Sequence, residues 1–268
     1  MLWTMSIRKQ YFLGNAAKSR VVRSILERAL KEHVSRDFVV FDHGCGGGGD
    51  WPEILDDNPF IRYVGYDPDP RSLRRAFDRL QGRKARFLSA DELDGESISA
   101  DFVVSFSVFE HVYDRSAYLR LSGRHLAPGG TFFLNYDDGH FRTPLDLDRP
   151  ALWGRQLRPW IHNLLARPLA ALGGVSRFQA RVTRSEADRL VGEAGFEIID
   201  EFYSNIESFK TLSKTLPPQA REEFMALWIG VEEALNARFR VPGDVQIMGD
   251  EANLWRALPS RTLVLRAR

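Results

Sequence analysis

Three acids and a run of glycines carry the first chemical information in this 268-residue chain. Asp42 closes the apolar run Val39-Val40-Phe41 and is followed by His43-Gly44-Cys45-Gly46-Gly47-Gly48-Gly49. Asp67 closes a second run, "IRYVGYD", 25 positions later, and Asp91 closes a third, "ARFLSAD". Glycines at a strand-to-helix turn let a ligand approach the backbone, and the start of the next helix offers unpaired N–H groups. A carboxylate ending the second strand is placed to accept hydrogen bonds from ribose hydroxyls. Asp67-Pro68 also reads as an ordinary strand-ending turn, so its weight comes from its pairing with the glycines.

The spacing admits two ligands. Gly44-x-Gly46-x-x-Gly49 fits the dinucleotide fingerprint, in which a pyrophosphate sits on the loop. Asp42-x-Gly44-x-Gly46-x-Gly48 starts from the acid and implies a different ligand. Cys45, the single cysteine, reads as a small filler, because no basic neighbour in sequence would lower its pKa. Two histidines are candidate proton acceptors: His111 after the fourth strand and His140 after the fifth. Asp137, Asp138 and His140 share one polar loop, which reads as a loop and not as a metal site. His33, His125 and His162 fall on helical segments and read as surface or packing residues.

These side chains need a frame. The composition, 44% hydrophobic and 27% charged, is that of a globular protein. A net charge of +1 gives no global basic field for nucleic acid. One cysteine points to a reducing, cytoplasmic setting. The first residues hold too short an apolar run for a signal peptide, and no run approaches the ~18 residues of a membrane span.

Val22, Ile25, Leu26, Ala29 and Leu30 have helical spacing ahead of the strand "DFVVFD". Asp50, Pro52 and Glu53 predict a capped helix, and Asp69 with Pro70 predicts another. Further strands are expected at 85–91, 101–107 and 130–136, with Pro128-Gly129-Gly130 as the stop before the last. Residues 137–182 break the rhythm. Thr183-x-x-Glu186 then predicts a capping box, with Ala187, Leu190, Val191 and Ala194 buried and Gly195 as the stop. "FEIIDEFY" is a sixth strand and "RTLVLRAR" a seventh. Between them Phe224, Leu227, Trp228, Val231 and Leu235 mark one long amphipathic helix. The fold class that follows is α/β, a doubly wound, seven-stranded, mostly parallel sheet. We expect one domain over 1–268, with helical cap insertions at 137–182 and 204–258.

Taken together, the segments resemble the class I S-adenosylmethionine-dependent methyltransferases, in particular a small-molecule, type 11-like branch. "FDHGCGGGG" is similar to their first motif, "VGYDPDP" to the second and "LSAD" to the third. "DFVVSFSVFEHV", with Glu110-His111, resembles the fourth-strand segment, and "HLAPGGTFFL" the turn and fifth strand after it. The resemblance implies S-adenosylmethionine as cofactor. Asp42 would order its methionine end, with Gly44, Cys45, Gly46 and Gly48 packed against it. Asp67 and Pro68 would meet the ribose, Asp91 and Glu92 would flank adenine, and Phe106 and Ser107 would lie near the sulfur. His43, the extra glycines and both insertions depart from the family pattern. Motif order outweighs the literal dinucleotide match, so the hydride-transfer reading is set aside.

The expected function is methylation of a small or medium-sized acceptor, more O- than N-directed, with a saccharide or secondary metabolite as the analogy-based guess. Protein or nucleic-acid methylation is the runner-up, and a non-catalytic cofactor-binding module is the alternative of a different class. Residues 139–182 hold seven arginines and two aspartates among Phe141, Trp153, Trp160 and Phe178. They read first as a cap whose aromatic stripe packs on the sheet edge. Selection of an anionic acceptor by those arginines, and weak peripheral contact with anionic lipid, are the sharper readings. With 204–258 the segment is expected to form a lid.

Overall fold

The structure, a computed structural model, describes residues 11, 13, 15–32, 37–137, 179–239 and 258–268. Most of the 137–182 insertion, with His140, Asp138, Phe141, Trp153, Trp160, His162 and Phe178, lies outside the described residues, as does His33.

The chain opens with helix α1 (Ala16–Lys31), whose N-terminus is capped by Asn15 Oδ1 accepting from Lys18 N at 2.8 Å. Strand β1 (Phe38–His43) follows, then α2 (Pro52–Asp57), β2 (Ile61–Tyr66), α3 (Pro70–Leu80), β3 (Ala85–Leu88) and α4 (Ala90–Gly95). Next come β4 (Ala100–Phe106), a single 3₁₀ turn (Phe109–His111), α5 (Arg115–His125) and β5 (Leu126–Asp137). After the insertion, α6 (Arg184–Glu193), β6 (Phe196–Ser204), α7 (Glu207–Ser213), α8 (Pro218–Phe239) and β7 (Ser260–Ala267) complete the order.

The seven strands form one sheet in the order β3-β2-β1-β4-β5-β7-β6, with β7 antiparallel to both its neighbours and all other pairs parallel. Alternation of side chains along the strands divides two cores. Phe38, Val40, Phe102, Val104 and Phe133 pack with α1 and α2 on one face. Phe41, Val103, Phe132, Leu134, Leu263 and Leu265 pack with Leu119, Leu190 and Val191 on the other. Chain order reverses between β1 and β4, and at such a switch point the loops part to leave a crevice at the carboxyl ends of the strands.

Several local expectations need correction. Asp50 does not cap α2; Trp51 occupies the cap position without a side-chain bond, while Asp50 pairs with Lys18 Nζ at 2.5 Å. The third strand stops at Leu88, because Ser89 and Glu92 form a capping box that starts α4. α5 ends at His125, so Pro128-Gly129-Gly130 is an irregularity within β5 and not the helix stop. Thr183 accepts from Glu186 N as expected, but the Glu186 carboxylate is drawn to Arg115 instead of closing the box. In α8 the buried face is Met225, Trp228, Ile229, Glu232 and Asn236, while Leu227 is 59% exposed. α8 packs against α1, α7 and β6, with Arg23 of α1 paired to Glu233, so this part of the second excursion flanks the sheet.

Candidate functional site

Two groups of side chains meet at the carboxyl edge, one on each side of the β1/β4 crevice. The first is built on the glycine loop. Tyr66 O, at the end of β2, accepts from Gly44 N at 2.8 Å and from Cys45 N at 2.9 Å. Asp67 Oδ2 accepts from Gly46 N at 2.9 Å, and its Oδ1 accepts from Asp69 N at 2.9 Å. The first three amides of the loop are therefore consumed within the protein. Gly44 is glycine for two reasons, a φ of +99° and a Cβ position that would fall 2.4 Å from Val108 Cγ2 across the crevice. Gly48 has a φ of +62° and sits against Ala76 and Leu80 of α3. At Gly46, φ +54°, a Cβ would meet nothing within 4 Å, so this stretch of backbone presents an open side.

Beneath the loop Asp42 is buried. Its Oδ2 accepts from Trp51 Nε1 at 2.8 Å and from Tyr63 OH at 2.9 Å. Burial pushes its carboxyl up to about 6, against the pull of the Tyr63 and Trp51 hydrogen bonds. Cys45 is partly buried, and burial together with Asp42 and Asp67 raises its thiol far above the ordinary value, which removes the thiolate a nucleophile needs. His43 points to the opposite face of the sheet. Its Nδ1 meets Ser122 Oγ at 2.8 Å, and its ring stacks on Tyr118 with centroids 3.9 Å apart. Burial lowers its pKa to about 3, so it is a neutral packing residue. The unusual histidine of the glycine segment belongs to the core.

The remaining predicted residues of this side are less enclosed. Asp91 and Glu92 lie exposed in the first turn of α4, and the Glu92 carboxylate is engaged by Ser89 N and Oγ, both at 2.8 Å. Pro68 is exposed, Phe106 is half-buried, and Ser107 carries a φ of +55° while its N–H donates to Asn135 O at 3.2 Å. Lys18, which the motif reading missed, stands 5.6 Å from the Phe106 ring centroid and pairs with Asp50.

The second group lies across β4. His111 is exposed in the 3₁₀ turn, while Glu110 beside it is buried. Burial, with Asp137 adding to it, pushes the Glu110 carboxyl up to about 8. The turn is fixed by the buried Arg115, which donates to Phe109 O at 3.2 Å, Ala180 O at 2.7 Å and Glu186 at 2.6 Å. Asp137 ends β5 and accepts from Asn205 Nδ2 at 2.5 Å. Asn205 has a φ of +78°, and its N–H donates to Glu232 Oε1 at 2.7 Å. Glu110, Asn205 and Glu232 escape a search for apolar stripes, because they are polar residues buried where strand ends need partners. Among the described residues no group of three or more His, Cys, Asp or Glu is arranged to hold a metal ion, and no helix is long and apolar enough to cross a membrane.

The donor set bears on the choice between the two ligands. A pyrophosphate cradle needs free loop amides, and those of residues 44–46 are taken. Asp67 can only accept; with about four lone-pair sites and two in use, it fits ribose hydroxyls, which either ligand carries.

Comparison with known proteins agrees with this choice. The family model described as "Methyltransferase domain" matches residues 13–201. The chain is 31% identical over 104 residues to the ubiquinone biosynthesis O-methyltransferase of Methylocella silvestris, covering 35% of this chain and 38% of that protein. It is 26% identical over 211 residues to the ribosomal RNA small subunit methyltransferase H of Corynebacterium kroppenstedtii, covering 76% of this chain and 53% of that one. The chain thus spans between a third and just over half of the length of these curated relatives. Haemonchus contortus phosphoethanolamine N-methyltransferase 2, solved with S-adenosyl-L-methionine, superposes with a TM-score of 0.51 at 15% identity, over 92% of this chain and 52% of that one. The acceptors named in these relatives differ, so the likeness carries the fold and family and leaves the acceptor to the site.

Proposed function

The chain belongs to the methyltransferase-domain family, and from that premise we propose that it transfers the methyl group of S-adenosylmethionine to a small acceptor. The observation that carries the proposal is Asp67, an acceptor-only carboxylate held against the glycine loop, beside amides already used by β2. Asp67 takes the ribose hydroxyls, and the open side of Gly46 receives the adjoining part of the cofactor. Asp42, pinned by Trp51 and Tyr63, fixes the base of the loop, and Lys18 supplies a cation for the cofactor's carboxylate. Asp91 lies at the β3 end where adenine is expected, while Glu92 serves the α4 cap in addition to any contact with the ring. When bound, the sulfonium supplies an already activated methyl carbon, so the protein's main task is alignment.

Oxygen is the preferred acceptor atom in this reading, and the substrate is a saccharide or another small hydroxylated metabolite. His111, exposed at the carboxyl edge, takes the hydroxyl proton. A net charge of +1 speaks against an RNA acceptor, which would call for an extended basic groove. The test is release of S-adenosylhomocysteine across a panel of hydroxylated acceptors. Acceptor-dependent release that slows in His111→Ala, without weaker cofactor binding, supports the proposal. Cofactor binding with no release on any acceptor favours the non-catalytic module instead.

A further inference from the structure

Six buried side-chain polar atoms among the described residues have no hydrogen-bond partner, and four of them belong to Glu110, Ser204, Asn205 and Glu232. Buried polar atoms are overwhelmingly paired in folded proteins, so a concentration of exceptions asks for a reason. Here the exceptions gather around the end of β5. Glu110 is 1% exposed, feels the charge of Asp137, and takes a hydrogen bond from the Asp137 backbone while its Oε2 stays unpartnered. Asn205 is 5% exposed and spends its amide N–H on the Asp137 carboxylate. That bond fixes the orientation of the amide, because turning it would set two acceptors against each other. Asn205 Oδ1 is then left beside Asp137 with no donor. Glu232 holds Asn205 N, Ile206 N and Trp228 Nε1 on one oxygen, and its second oxygen is unpartnered.

The position is that of a substrate site. In the β4–β5 ladder the last pair is Phe106 with Asn135, so Asp137 lies two residues beyond it, at the edge where the chain after β4 turns through Val108. Val108 is the residue that touches Gly44 across the crevice. The cluster therefore stands at the end of β5, two strands from β1 and its glycine loop, with the end of β4 between them.

We propose that Glu110 and Asn205, around Asp137, form the acceptor's polar seat, and that the acceptor presents hydrogen-bond donors there, as an amine or a polyhydroxylated molecule does. The name acceptor rests on the methyl-transfer reading; the preference for donors does not. Asn205 Oδ1 can only accept, and Glu110 Oε2 accepts once its proton is lost, so the seat suits a donor on the ligand. The raised pKa of Glu110 fits the same picture, since burial keeps its proton on until a donor reaches the second oxygen.

The test follows the Asn205 side-chain amide by NMR in the full-length protein labelled at asparagine, with the signal assigned by its loss in Asn205→Gly. Glycine keeps the φ of +78° accessible, so this variant retains its backbone. Three probes share one scaffold: 2-phenylethylamine, 2-phenylethanol and phenylacetate. The amine and the alcohol shift the signal, and the amine binds at least roughly tenfold more tightly than phenylacetate. Glu110→Gln lowers the affinity for the amine by about tenfold or more. Equal response to phenylacetate, or no response to either the amine or the alcohol, overturns the proposal. S-adenosylmethionine titrated into the same samples reports on the methyltransferase reading by itself, so either conclusion can fail while the other stands.

Discussion

The two sides of the β1/β4 crevice are finished to different degrees. On the glycine-loop side every key polar group is paired: Asp42 with Trp51 and Tyr63, Asp67 with Gly46 N and Asp69 N, and the loop amides with Tyr66 O. On the other side Glu110, Asn205 and Glu232 each keep one buried oxygen without a partner. A site for a constant ligand can be built in advance, because its groups are satisfied by the same backbone that shapes it. A site for the variable partner keeps unspent hydrogen-bonding capacity, and the unpaired groups reduce stability. Preorganisation on one side and stored demand on the other is the division of labour that methyl transfer between two substrates requires.

The contrast can be broken in four places. The largest effect is expected at Glu110. Its carboxyl is raised from 4.5 to about 8, so the stability it carries is complete below pH 4.5 and is lost as pH rises through about 8. Glu110→Gln stays neutral, and its advantage over the parent grows to roughly 4 kcal/mol across that window, read as melting temperature against pH. Asp42 has the same sign, but its window closes near pH 6 and that of Glu232 near pH 7, so the slope between pH 7 and 8 reports chiefly on Glu110. A flat difference between variant and parent would deny the stored demand.

Next comes Gly44. Gly44→Ala sets a methyl 2.4 Å from Val108 Cγ2 at a φ of +99°, and should destabilise by about 3 kcal/mol in chemical denaturation. Adding Val108→Ala relieves the clash and leaves the backbone strain, so roughly half should return. Full recovery, or none, would show that only one of the two reasons for glycine operates.

Asn205→Gly should unfold more easily by about 1–2 kcal/mol, since it removes the bond to Asp137 but suits the backbone. It should leave cofactor affinity unchanged; a loss of that affinity would merge the two sides into one network.

The smallest effect is expected at His43. His43→Phe keeps the stack on Tyr118, and Ser122 Oγ retains its bond to Tyr118 O at 3.1 Å. The change should stay within about 1 kcal/mol and leave turnover intact. A large loss of activity would move His43 from the core into the chemistry.

The same contrast explains what could be read from the chain. The seven strands and the mostly parallel sheet were legible because their signals are local: an apolar run, an acid at its end, glycines at the turn that follows. Asp69 caps α3 as its place before Pro70 implies, and Gly195 ends α6 with a φ of +84°. Errors arose where tertiary partners overrode local chemistry. Asp50 would cap α2, but Lys18 from another helix claims it. The buried face of α8 is turned from the apolar stripe because Glu232 and Asn236 are needed at the end of β6, where Asn236 brackets Tyr203 N and O at 2.8 Å each. In sequence those residues look like a solvated helix face. Glu232 was missed for that reason and Asn205 because it stands alone after β6, while Glu110 was read only as part of a motif, without its burial.

The central claim is that the finished side of the crevice holds S-adenosylmethionine through Asp67. Isothermal titration of the full-length protein with S-adenosylmethionine tests it directly. The account predicts saturable binding at one site, weakened about a hundredfold or more in Asp67→Ala. No saturable heat up to roughly millimolar cofactor, or equal affinity in Asp67→Ala, would contradict it.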